Sequence, residues 1–168
     1  YGRGGEEVQV LAQHDVRYQI VPGITAAAGC SAYAGIPLTH RDHAQAIQFV
    51  TGHCKKDGQE LDWPSLAKPN QTLAIYMGVL KSPHIQAQLI KYGRDASTPV
   101  AIIENGTRKE QRVVRTHLGD LAQQIEQHHI VSPALLIIGE DAALHEQLAW
   151  FGSSAQISSF AQPLTDVA

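Results

Sequence analysis

Near-continuous apolar runs of strand length at residues 72–77, 100–103 and 134–138 constrain this chain more than any other feature in it. A strand with one wet face alternates apolar and polar residues, so a run without alternation needs cover on both faces. The segments between the runs carry that cover. Ser82-Pro83 opens a stretch with Ile85 and Leu89 on one face and Gly93 as its stop. Leu118, Leu121, Ala122 and Ile125 recur at i, i+3, i+4, i+7, and Leu144, Leu148 and Phe151 mark a last helix. Asp62-Trp63-Pro64 offers an N-cap followed by proline in a first turn, and residues 46–51 read as a strand. Asn105-Gly106 separates residues 100–103 from the β-prone Arg112-Val113-Val114-Arg115, which predicts an antiparallel hairpin with a loop of two residues or more. Strands alternating with helices, plus one hairpin, predict an α/β fold: a three-layer αβα domain with a mixed sheet.

The amino-terminal part reads differently. Val8, Leu11 and Ala12 behind Glu6 and Glu7 predict a short helix ending near His14. Residues 18–21 are β-prone and predict a strand, stopped by Pro22-Gly23. Residues 24–32 then form a helix of small side chains, which permits close approach by a neighbouring element or a ligand. Residues 37–43 are polar and irregular, residues 53–61 are a polar loop, and from Gly152 onward no period remains. The expected organisation is the end of a preceding lobe with an inter-lobe helix at 1–35, the domain proper at 36–151 and a flexible tail at 152–168. The first residue is not methionine and the opening glycines read as the middle of a loop, so a truncated chain or a proteolytic product is expected.

Composition narrows the function classes. At 168 residues and 43% hydrophobic content the chain can bury a core. A net charge of -3 with no long run of like charge gives no nucleic-acid footprint. No apolar stretch approaches the roughly 18 residues of a membrane span, and Tyr1-Gly2-Arg3-Gly4-Gly5 lacks the apolar core of a signal peptide, so the expectation is a soluble, cytoplasmic protein. Cys30 and Cys54 have no metal-ligand spacing and are expected as reduced thiols. His53-Cys54 and His128-His129 complete no ligand set, so no metal is expected; His128-His129 suits the end of a helix. Hydrolase and kinase readings fail because Gly-x-Ser-x-Gly, Walker and complete dinucleotide motifs are absent.

Six segments then stand in register. They are Tyr1-Gly2-Arg3-Gly4-Gly5-Glu6-Glu7, Val21-Pro22-Gly23-Ile24-Thr25-Ala26, Gly35-Ile36-Pro37-Leu38-Thr39-His40-Arg41, Tyr76-Met77-Gly78, Glu104-Asn105-Gly106-Thr107 and Ser132-Pro133-Ala134. In this order they resemble the uroporphyrinogen-III C-methyltransferase module of the tetrapyrrole methylase family, found alone or at the end of siroheme synthase, over residues 1 to about 151.

The resemblance implies a two-lobed enzyme, typically a homodimer, with its cofactor S-adenosylmethionine (product S-adenosylhomocysteine) held between lobes. It implies cofactor contacts at Thr25, Ala26, Met77, Gly106 and Ala134. Apart from the resemblance, Thr25 reads as a helix N-cap, Met77 as a core filler or a ligand contact, and Gly106 as a turn glycine with positive φ. Arg41 is a candidate for a carboxylate of the tetrapyrrole substrate, against a reading in which it pairs with Asp42. Arg3, Lys55, Lys56, Arg108, Lys109, Arg112 and Arg115 read mostly as solvated charges. The family's catalytic acid and base are expected upstream of Tyr1, which leaves them unnamed here and makes the isolated piece inactive. The implied reaction is methylation of uroporphyrinogen III at C2 and C7 to precorrin-2, in siroheme and cobalamin synthesis. A sister methylase acting on a corrin intermediate and a non-catalytic binding or dimerisation module are the alternatives.

Overall fold

A computed structural model describes residues 4–52 and 60–152. The expected flexible tail, apart from Gly152, lies outside the described residues, as do Arg3, His53, Cys54, Lys55 and Lys56.

Among the described residues five strands form one sheet: β1 (Ala46–Thr51), β2 (Gln71–Tyr76), β3 (Pro99–Glu104), β4 (Arg112–His117) and β5 (Ala134–Ile138). Their order is β1-β2-β5-β3-β4. β1 runs parallel to β2, while β5 is antiparallel to both β2 and β3, and β4 is antiparallel to β3. The sheet is therefore mixed, and β1, β2 and β3 all point the same way. The last of these strands in sequence, β5, sits between β2 and β3, with Leu136 opposite Ile75 on one side and Ile102 on the other. That position explains the unbroken apolar runs, since β2, β3 and β5 are interior strands buried on both faces.

Strand alternation divides the core. Leu73, Ile75, Val100, Ile102, Leu136 and Ile138 meet Trp63 and Leu66 of α3 (Trp63–Leu66), Ile85 and Leu89 of α4 (Ser82–Lys91), and Leu121 and Ile125 of α5 (Leu121–Gln127). Ala74, Ala101, Ile103, Leu135 and Ile137 face the other way, onto Ala27, Cys30 and Ala34 of α2 (Ala26–Ala34). Two covered faces make three layers. Small residues on both α2 and the strands beneath it let the helix lie close to the sheet. The Asp62 carboxylate caps α3, accepting from Ser65 N–H at 3.2 Å, with Pro64 in the first turn as predicted.

Two expectations need correction. Helix α1 (Gly5–Gln13) forms behind Glu6 and Glu7, but residues 18–21 are not a strand: they pair with nothing among the described residues, and Val21 is 84% exposed. β-prone side chains make a strand only beside a neighbour that takes up the backbone hydrogen bonds. The last helix is shorter than its apolar spacing predicts, a 3-10 turn (Glu140–Leu144) followed by α6 (His145–Leu148). Ala149 leaves the helix in an extended conformation, and Trp150 Nε1 donates to Ala32 O at 2.8 Å while the Phe151 ring packs 4.8 Å from that of Tyr33. Docking onto the end of α2 outweighs one more helical turn. The expected antiparallel hairpin between β3 and β4 is present, with residues 105–111 as its loop.

Candidate functional site

At the carboxyl ends of β2 and β3, where β5 begins between them, lies a cavity of about 500 Å³. Ala26, Met77, Gly106 and Ala134 all line it, beside Cys30 and Tyr76. Four sequence positions far apart along the chain are thus brought together by three strand ends and the start of α2.

Thr25 stands at the N-cap of α2, yet its side chain makes no cap hydrogen bond. Its hydroxyl bonds instead to the Tyr76 hydroxyl, and that same oxygen accepts the N–H of Ala27 at 2.9 Å. Tyr76 therefore performs the capping that the sequence suggested for Thr25. The sequence held one hint, a polar-tipped aromatic at the end of an apolar strand, since a buried tyrosine hydroxyl needs a partner.

The cavity rim has unusual backbone. Met77, Asn105 and Thr107 adopt φ of 53, 51 and 69°, the left-handed region, which a β-branched residue such as Thr107 rarely enters. Met77 is 47% exposed and is no core filler. Gly106 corrects the turn reading: positive φ falls on the residues either side of it, and glycine is required because a Cβ would come within 2.2 Å of Cys30 Sγ. Such local backbone cost persists where the surroundings fix it, and it clusters at binding sites.

The opposite wall is braced by Glu104. This buried carboxylate accepts from Val131 N–H at 2.8 Å and from Arg112 Nε at 2.8 Å, while Asn105 N–H donates to Pro133 O at 3.0 Å. Burial works against its ionisation, but the Val131 and Arg112 hydrogen bonds and the guanidinium charge hold the carboxyl below its ordinary value. Burial pushes the pKa of the Cys30 thiol up, against the thiolate form, and the side chain lines the cavity as a wall. Apolar surfaces, a thioether, a phenol and backbone groups suit this cavity to binding and orienting a flat ligand.

Arg41 is not part of this group. It lies exposed on the loop before β1, at the opposite end of the sheet, and forms no ion pair among the described residues. Asp42 is near His40 instead, with 3.9 Å between Nδ1 and Oδ2, so the alternative Arg41–Asp42 pair is not formed. In the same region Asp141 is fully buried; one oxygen accepts from Thr72 Oγ1 at 3.2 Å and the other has no partner among the described residues. Burial raises its pKa, with Thr72, His43 and His40 opposing. Of the remaining cations, Arg108 lines the cavity and Arg115 pairs with Glu146 at 2.8 Å. Arg112 is not a free surface charge but part of the Glu104 brace, and His128 closes α5 at its C-cap. Among the described residues no helix is long and apolar enough to cross a membrane.

The family described as tetrapyrrole (corrin/porphyrin) methylases matches residues 1–122. The chain belongs to that family. This tetrapyrrole methylase chain is 81% identical, over all of its 168 residues, to a siroheme synthase of Pseudoalteromonas translucida, of which it covers 36%. To siroheme synthase 2 of Aeromonas hydrophila it is 58% identical, covering 93% of this chain and 33% of that protein. It thus spans about a third of the length of these curated relatives. Among solved structures, uroporphyrin-III C-methyl transferase from Thermus thermophilus in complex with S-adenosyl homocysteine superposes with a TM-score of 0.72 at 33% identity, over 86% of this chain and 62% of that one. Cobalt precorrin-4 methyltransferase gives 0.76 at 25% identity, over 84% of this chain and 60% of that one. The methylase fold predicted from the six motifs is the fold observed.

Proposed function

We propose that the protein containing this segment is an S-adenosylmethionine-dependent C-methyltransferase that converts uroporphyrinogen III to precorrin-2, methylating C2 and C7 on the way to siroheme. The cavity formed by Ala26, Met77, Gly106 and Ala134 carries the reading, because those widely separated residues converge on one space. The relatives named siroheme synthase and the solved uroporphyrin-III C-methyl transferase with S-adenosyl homocysteine support it.

The residues present fit an adenosyl group. A cavity of about 500 Å³ lies within the range of small-molecule sites, and the approach of Cys30 to Gly106 leaves a flat wall with no side chain projecting from that glycine. In this reading Met77 covers one face of the adenine, Gly106 and Ala134 offer backbone groups to its edge, and Thr25 and Ala26 hold the ligand at the start of α2. The cofactor supplies a methyl group already activated on a sulfonium. What this chain contributes is alignment and exclusion of water, the larger part of the work when the leaving group is already good. Arg41, which forms no ion pair among the described residues, is assigned to a substrate carboxylate away from the reacting carbon.

Residues 1–35 are assigned to the end of the preceding lobe with the joining helix, and 36–151 to the carboxy-terminal lobe. Within the first unit α1 buries no residue, whereas α2, the helix assigned to the joint, packs on the sheet of the second. By family resemblance the parent is assigned as a cytoplasmic homodimer that serves siroheme and cobalamin synthesis. The test is methyl transfer from labelled S-adenosylmethionine to uroporphyrinogen III by the full-length protein. Two transfers and a precorrin-2 mass are expected, and no transfer sinks the reading. A corrin product would instead favour the sister methylases, to which the likeness to cobalt precorrin-4 methyltransferase points. Residues 1–168 alone are expected to give no turnover.

A further inference from the structure

The start of α2 is held from outside the helix. A helix begins with backbone N–H groups that lack internal partners. Here Ala27 N–H donates to Tyr76 Oη at 2.9 Å, the Thr25 hydroxyl bonds to the same oxygen, and Ala26 N–H has no acceptor among the described residues. Tyr76 is the last residue of β2, immediately before Met77, and its ring packs against the core cluster beneath α2. One phenol oxygen thus fixes the two residues flanking Ala26 and ties them to the strand that carries Met77. Both walls of the cavity are locked to each other at this atom.

We propose that Tyr76 is a positioning residue for the cofactor. Its hydroxyl sets where the Thr25–Ala26 backbone stands relative to Met77, so the ligand meets a preformed edge and need not order the first turn of α2 itself. The proposal rests on the reading of this cavity as the cofactor site. In an α2 without this tie, the first turn frays as unsatisfied helix ends do, and binding must supply its ordering. The core contacts of the ring do not need the oxygen, so Tyr76→Phe separates positioning from packing.

The experiment is calorimetric titration of S-adenosylhomocysteine into the full-length protein, wild type and Y76F, with thermal melts of both in the absence of ligand. Y76F is expected to bind about tenfold more weakly, the effect of one hydrogen bond's worth of order. Its KM for S-adenosylmethionine should rise more than its kcat falls. Wild-type protein that fails to bind overturns the cofactor reading and the proposal with it. Wild-type binding with an unchanged Kd in Y76F, whatever its melting temperature, overturns the positioning role alone. Because Y76F can also weaken the fold, amide exchange in wild-type protein supplies an independent reading. Ala27 N–H is expected to be protected without ligand and to gain less protection on S-adenosylhomocysteine binding than Ala26 N–H, and the reverse order overturns the proposal.

Discussion

Gly106 and Cys30 occupy one another's space: a Cβ on Gly106 would fall 2.2 Å from Cys30 Sγ and 3.1 Å from Cys30 Cβ. The contact joins the loop after β3 to α2, the two elements that flank the candidate cofactor cavity. Gly106→Ala should therefore destabilise by about 1–3 kcal/mol, as overpacking does, and weaken S-adenosylhomocysteine binding. Adding Cys30→Ala should recover part of the stability, because the closest clashing atom is removed. Thermal melts of the single and double variants check this, and strictly additive losses would contradict it.

Glu104 should set an acid limit. Its carboxyl is held below the ordinary value near 4.5, so its contribution is fully present above that pH and is lost as pH falls through the lower, folded value. Glu104→Gln should cost about 1.5–3 kcal/mol at pH 7, the range for hydrogen bonds to a charged group, and should flatten the loss of stability below about pH 4.5. Denaturant titrations at pH 7 and in the acid range measure both.

Asp141 should act in the opposite sense. Burial raises its pKa from an ordinary 3.8, so the folded state binds its proton more tightly than the unfolded chain does. The resulting stability is complete below the unfolded value and declines as pH rises through the folded one. Asp141→Asn is expected to melt no lower than wild type at pH 7, with a gain of about 1 kcal/mol that shrinks toward pH 4. A variant clearly less stable than wild type at pH 7 would show that the ionised acid is stabilised by groups other than Thr72.

Arg41→Ala should leave the fold intact, since its side chain is exposed and without an ion pair among the described residues. If it meets a substrate carboxylate, KM for uroporphyrinogen III rises about tenfold while the Kd for S-adenosylhomocysteine stays unchanged, and Arg41→Lys recovers part of the loss. Steady-state kinetics with each substrate varied in turn decides this.

Local pattern was enough for most elements and for the fold class. The apolar runs marked β2, β3 and β5, the spacing of Ile85 and Leu89 marked α4, and Asp62-Trp63-Pro64 marked the start of α3, because each signal is carried by residues a few positions apart. The six motifs named the family for the same reason. Tertiary structure decided the rest. Residues 18–21 have strand-like side chains but no strand partner among the described residues, β5, the last of the described strands, takes the centre of the sheet, and α6 stops early to let Trp150 and Phe151 dock on α2. It also changed the reason for two site residues, replacing the Thr25 cap by the Tyr76 hydroxyl and the turn conformation of Gly106 by the bulk of Cys30. Sequence determines what each segment prefers within about a turn or a strand of itself. Which oxygen reaches an orphan N–H, and which sulfur fills the space of a missing Cβ, depends on contacts between residues dozens of positions apart, fixed only when the layers pack.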